Sequence, residues 1–214
     1  MNWLTRLLGT RTDTASLDAP LREALARWQA TPQPDQSKAH FETRYVVINT
    51  EASGLDLDSN RLLAVGAIAI DGAQLSPHDS YYARLEPDPA TALTNLLTFS
   101  GMGPVVVFNA GFNRSLLERE FAGHLGITPE WTWLDLHWLL PGLYDEHLDG
   151  PARLADWMKA FGIETFQRHH ALGDAWAIAQ LMLAAQARAH AMSLNTPRSL
   201  AELERTRRQL RRHG

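Results

Sequence analysis

The sequence predicts an α/β domain, a mixed sheet flanked by helices. Three observations carry that prediction. "RYVVIN" and "GPVVVFN" are apolar, β-branched runs of the kind found in buried central strands. "RLLAVGAIAI" ends on Asp71-Gly72, a hairpin signal that sends the chain back antiparallel to itself. After that hairpin, strand-like runs alternate with stretches of helical periodicity, which brings strands together in parallel.

The elements follow in order. Residues 1–40 read as a helical extension and linker: Leu17, Leu21, Leu25 and Trp28 recur at helical spacing, and "TPQPDQSK" then breaks the helix. Such a helix packs on its own domain or on a partner. Residues 41–192 read as the α/β core. Its strands are "RYVVIN", "RLLAVGAIAI", "DSYYARL", "GPVVVFN" and "EWTWLDL". Its helices are "TALTNLLTF", "NRSLLEREFAGHL", "GPARLADWMKAFG" and the Ala-rich "GDAWAIAQLMLAAQARAHAM". In the third of these, Leu154, Trp157, Met158 and Phe161 share one face. Residues 193–214 read as a basic helix, opened by a capping box of Ser199 and Glu202 and carrying Arg205, Arg207, Arg208, Arg211 and Arg212. These arginines suit a solvated helix end or a phosphate-contacting tail.

Composition excludes several chemistries. The 214 residues contain no cysteine, so disulfides, thiolate metal sites and cysteine nucleophiles are absent. A formal net charge of −4 gives no global attraction to nucleic acid, so any such contact must be local. "MNWLTRLLGTRTD" has too short an apolar run for a signal sequence, and no run reaches membrane-spanning length. The expectation is a cytoplasmic protein without a membrane partner.

Three short segments fall at a strand end, a strand–helix junction and a helix start. The first is Asn49-Thr50-Glu51 with Ser53-Gly54-Leu55; the second is "FNAGFN", Phe108 to Asn113; the third is "HHALGDA", His169 to Ala175. Singly, each reads as a turn, a helix cap or a surface histidine pair. In this order they are far more specific. They resemble the three motifs of the DEDDh 3′–5′ exonucleases, the DnaQ-like family that includes polymerase proofreading subunits. The family motifs are D-x-E-x-[ST]-G-L, H-N-A-x-F-D and H-x-A-L-x-D-A. This chain reads N-T-E-A-S-G-L, F-N-A-G-F-N and H-H-A-L-G-D-A, and the resemblance covers about Arg44 to His190.

The resemblance implies a ribonuclease H-like fold and assigns roles. Glu51 and Asp174 would ligate a divalent ion, Mg²⁺ or Mn²⁺. His169, rather than His170, would be the general base. Asn49 stands where an aspartate bridges two metals, and Asn113 where a second-motif aspartate helps place the second metal. Ser53, Gly54, Leu55 and Phe112 would line the pocket for the 3′-terminal nucleotide, beside Asn109. Phe108 replaces the second motif's histidine.

Two-metal phosphodiester cleavage needs anionic oxygen ligands to offset two dications. Asparagine offers one neutral carbonyl oxygen instead. The implied function is therefore a 3′–5′ exonuclease acting on DNA or RNA 3′ ends, with activity weakened by Asn49 and Asn113. The alternative is a pseudo-exonuclease that holds single-stranded nucleic acid or a polymerase-like partner without cutting. A third possibility is a structural protein docking through its N-terminal helix. Restoring aspartate at both positions is expected to raise activity at least ~10²-fold.

Overall fold

The computed structural model describes residues 14–54, 56, 60–145 and 152–212. The strands are β1 (Tyr45–Ala52), β2 (Leu62–Asp71), β3 (Gln74–Arg84), β4 (Val105–Val107) and β5 (Trp133–Asp135). The helices are α1 (Ala19–Gln29), α2 (Pro89–Ser100), α3 (Ala110–Leu125), α4 (Leu136–Leu143), α5 (Leu154–Phe161), α6 (Ala171–Ala191) and α7 (Pro197–Arg212). One five-stranded sheet runs in the order β3-β2-β1-β4-β5. β2 pairs antiparallel with both β1 and β3, whereas the β1–β4 and β4–β5 pairs are parallel. The split follows from the connections. A tight turn can join antiparallel strands, but parallel neighbours need a crossover, supplied here by α2 and α3.

Alternation along β1 divides the core in two. Val46 and Ile48 face Leu25 and Trp28 of α1, Leu93 and Leu97 of α2, and Leu117 and Phe121 of α3. Tyr45 and Val47 face the other layer, with Leu139 of α4, Trp157 of α5, Ile178 and Met182 of α6, and Leu200 of α7. Each such side chain stabilises the fold by roughly 1.5–3 kcal/mol when fully buried. The apolar face of α1 is used inside the chain. The Trp28 indole donates to the Gly101 carbonyl at 3.0 Å, and the Trp131 indole donates to the same oxygen at 2.8 Å.

Three local expectations are revised, and one helix, α4, is unexpected. The β2–β3 turn centres on Gly72 and Ala73, both at positive φ, because Asp71 pairs with Gln74. α3 starts at Ala110, three residues before the expected Asn113, because Asp135 supplies its cap from another strand. α4 forms despite Pro141 and Gly142: Leu136, Leu139, Leu140 and Leu143 make one buried face that outweighs a single lost backbone bond. α7 begins earlier than Ser199, with Thr196 and Ser199 exchanging side-chain bonds to each other's amides at 3.1 Å.

Candidate functional site

The ends of β1 and β4 and the starts of α3 and α6 enclose a cleft of about 450 Å³. Asn49, Glu51, Asn109, Asn113, His169 and Asp174 line it, with Leu63, Phe108 and Phe112 as an apolar wall.

Glu51 sits at the β-bulge that ends β1. Its Oε1 accepts the backbone N–H of Ala171, the first residue of α6, so the carboxylate caps a helix N-terminus, where negative charge is stabilised. α6 can come this close because Gly66, paired with Asn49, has no side chain. A Cβ there would lie 2.2 Å from the Leu172 nitrogen.

Asn113 is buried in the first turn of α3 and fully engaged. Its Nδ2 donates to the carbonyls of Phe108 at 2.9 Å and Asn109 at 3.1 Å, and its Oδ1 accepts from the Thr50 hydroxyl at 2.8 Å. A carboxylate in this position would set acceptor against acceptor twice. The side chain of Asn49 has no hydrogen-bond partner among the described residues. Aspartate is thus readily accommodated at 49 and costly at 113.

Asn109 caps α3 in a left-handed backbone conformation, φ 68°, without using its side chain. The cap comes from Asp135, whose two oxygens accept the amides of Asn109 and Ala110 at 2.9 and 2.8 Å. Glu204 of α7 accepts the Asp135 amide at 2.8 Å. Arg208 joins both acids, at 2.8 Å from Glu204 and 3.1 Å from Asp135. Burial pushes the Glu204 carboxyl above its usual range, against the opposing pull of the Asp135 amide and Arg208.

His169 is exposed, lines the cleft, and holds a left-handed backbone at φ 59°. His170 faces elsewhere: it caps α6 by accepting the Gly173 amide at 3.3 Å and stacks on Tyr82 with centroids 4.7 Å apart. Asp174 is buried, at 7% exposure, and its Oδ1 is ion-paired to the Arg168 guanidinium. Burial raises its pKa, outweighing the lowering influences of Arg168 and His169. Gly173 lets the preceding loop close on α6, since a Cβ there would lie 2.0 Å from the Gln167 carbonyl oxygen.

The serine–glycine segment is placed differently. Ser53 does not line the cleft; its hydroxyl donates to Asn60 at 3.1 Å and accepts the Arg61 amide at 3.0 Å, closing a turn. Gly54 does line it, packed so closely that a Cβ would meet the Asn60 side chain at 2.5 Å. Leu55 lies outside the described residues. Motif reading missed Thr50, Asp135 and Arg168. Asp135 ends a strand at the same sheet edge, and Arg168 directly precedes the histidine pair, but neither position announces its tertiary partner.

The donors do not fit a pair of divalent ions. The lining offers two carboxylates, one bonded to a helix amide and one to arginine, while both asparagines are neutral. Among the described residues no group of three or more His, Asp or Glu side chains is arranged to hold a metal.

Solved structures share this architecture. E. coli exonuclease I in complex with a dA16 oligonucleotide superposes with a TM-score of 0.53 at 17% identity, over 74% of this chain and 42% of that one. A zinc-bound form of the E. coli exonuclease I–single-stranded DNA complex gives 0.52 at 17% identity, over 68% of this chain and 41% of that one. Exonuclease X, with duplex DNA carrying a 5′ overhang, gives 0.51 at 16% identity, over 75% of this chain and 99% of that one. The chain shares the fold of exonucleases I and X. It spans under half the length of exonuclease I. No family model and no curated protein matches its sequence. No helix among the described residues is long and apolar enough to cross a membrane.

Proposed function

We propose that the chain is a DnaQ-like pseudo-exonuclease that holds the 3′ ends of single-stranded DNA or RNA without two-metal hydrolysis. The observation that carries this reading is the engagement of Asn113. Its amide group satisfies two backbone carbonyls, so the position serves as a neutral strut where catalysis would need an anion. The cleft retains what binding requires. Leu63, 43% exposed, and Phe112 offer apolar surface to a terminal base, for which stacking supplies about 1–3 kcal/mol. Asn49 and Asn109 offer amides to sugar or phosphate oxygens.

A second reading, slow hydrolysis with Mg²⁺ or Mn²⁺, is favoured by one observation: Glu51, His169 and Asp174 all line the same cleft. A polymerase or another protein is the accompanying partner proposal. It would meet the outward face of α1, because Leu25 and Trp28 are buried within the chain. The compartment proposed is the cytoplasm, where a cysteine-free chain needs no oxidising environment.

The test is fluorescence anisotropy with a 5′-labelled single strand and a circular strand of the same composition. The linear strand should bind at least ~10-fold tighter, by analogy with the loss of one stacked base, and Phe112→Ala should weaken it several-fold. Equal affinity for linear and circular strands, or none for either, would refute 3′-end binding.

A further inference from the structure

We propose that Arg168 is the resident cation of the cleft, neutralising Asp174 as a divalent ion otherwise would, so that nucleic acid is held there without metal. The inference rests on reading the cleft as an exonuclease-type site. It begins from charge. A carboxylate as buried as Asp174 needs an opposite charge, and its ion pair among the described residues is with Arg168, beside the smaller influence of His169. Glu51 has its own compensation at the N-terminus of α6. Asn49 and Asn113 add no further anion. With Glu51 and Asp174 negative and Arg168 positive, the formal sum is −1, far from what two dications require.

The arginine is also built into position. The Thr165 hydroxyl donates to the Gly173 carbonyl at 2.6 Å, pinning the loop to the first turn of α6. The missing side chain of Gly173 admits the Gln167 carbonyl against the helix. Arg168 follows at once, so the backbone delivers its guanidinium to Asp174. That side chain remains 34% exposed. A guanidinium carries five N–H donors in a planar fork, which leaves donors for a phosphate oxygen after Asp174 is satisfied. Two neutral asparagines and one added cation form a consistent set: each removes part of the electrostatic demand for metal.

The experiment has two arms. In the first, Mn²⁺ binding is read by the EPR signal of the free ion. The wild-type chain should bind no Mn²⁺ tighter than ~1 mM, and Arg168→Gln should bind at least ~10-fold tighter, because Asp174 then needs a cation. Micromolar Mn²⁺ binding by wild type, or no gain in the variant, would overturn the proposal. In the second arm, a labelled single strand is titrated in EDTA and in Mn²⁺. Wild-type affinity should agree within about twofold between the two buffers, and Arg168→Gln should lose at least ~10-fold in EDTA and regain part of it with Mn²⁺. A variant that is merely less stable, with no recovery by Mn²⁺, would mean that Arg168 only locks the loop, and the proposal fails. Should Arg168→Gln not fold, Arg168→Lys keeps the charge but not the fork. It should exclude Mn²⁺ as wild type does and still bind the strand more weakly; Mn²⁺ uptake by this variant would contradict the assignment. Absence of strand binding by wild type would refute the 3′-end reading, while the first arm would still decide the role of Arg168.

Discussion

Arg208, on the last helix, reaches the buried carboxylate of Asp135 at 3.1 Å. That carboxylate in turn holds the amides of Asn109 and Ala110. The basic C-terminal helix is therefore tied through two side chains to the loop that forms one wall of the cleft. Arg208→Ala removes the cation between Asp135 and Glu204. Allowing for the partial exposure of the arginine, the loss should be about 1–3 kcal/mol, measured by urea unfolding. Hydrogen exchange at Asn109 and Ala110 should accelerate more than at the β1–β2 ladder. An unchanged midpoint would show that α7 does not brace this loop.

His40 makes stability pH-dependent. It is buried, at 8% exposure, between the Tyr45 hydroxyl at 2.6 Å and the Leu194 carbonyl at 2.9 Å. The carbonyl can only accept, so Nε2 carries the proton and Nδ1 accepts from Tyr45. Burial lowers the histidine's pKa below its ordinary 6.5. The folded state thus binds fewer protons than the unfolded state between the two values. The contribution of His40 is fully present above pH 6.5 and is lost as pH falls from there through the folded-state value. Urea midpoints of wild type should drop relative to His40→Gln between pH 7.5 and pH 5. Parallel curves would contradict this.

Two glycines set the geometry of the cleft. Gly66→Ala places a Cβ 2.2 Å from the backbone of α6, and Gly173→Ala places one 2.0 Å from the Gln167 carbonyl. Backbone cannot yield as a side chain can, so each change should cost at least ~2 kcal/mol. Thermal unfolding checks both, and neutral substitutions would mean that α6 lies further from the sheet.

Much of this was legible in the sequence. The valine runs gave the buried strands, and the three motifs contain Asn49, Glu51, Asn109, Asn113, His169 and Asp174, six of the polar side chains that line the cleft. What stayed hidden is tertiary. Nothing local marks Asp135 as the cap of a helix that begins 25 residues earlier in the chain. Nothing in the motif announces that Arg168 folds back onto Asp174. α4 was hidden for a different reason: Pro141 and Gly142 are strong breakers, and only the i, i+3, i+4 leucines argued against them.

The two asparagines should respond unequally to aspartate. Asn113→Asp sets a carboxylate against the carbonyls of Phe108 and Asn109, which should cost about 1–3 kcal/mol in metal-free buffer. Asn49→Asp breaks no described hydrogen bond and should cost less than ~1 kcal/mol. Equal losses in a thermal melt would show that the Asn113 contacts carry little weight.

The central claim is that this cleft keeps the exonuclease shape but has exchanged metal-driven hydrolysis for retention of 3′ ends. A 5′-labelled single strand incubated with stoichiometric protein and millimolar Mn²⁺, then resolved by length, tests it most directly. The account predicts a strand that is bound in the anisotropy measurement and intact on the gel. A ladder of products shortened from the 3′ end, abolished by Glu51→Gln, would contradict it.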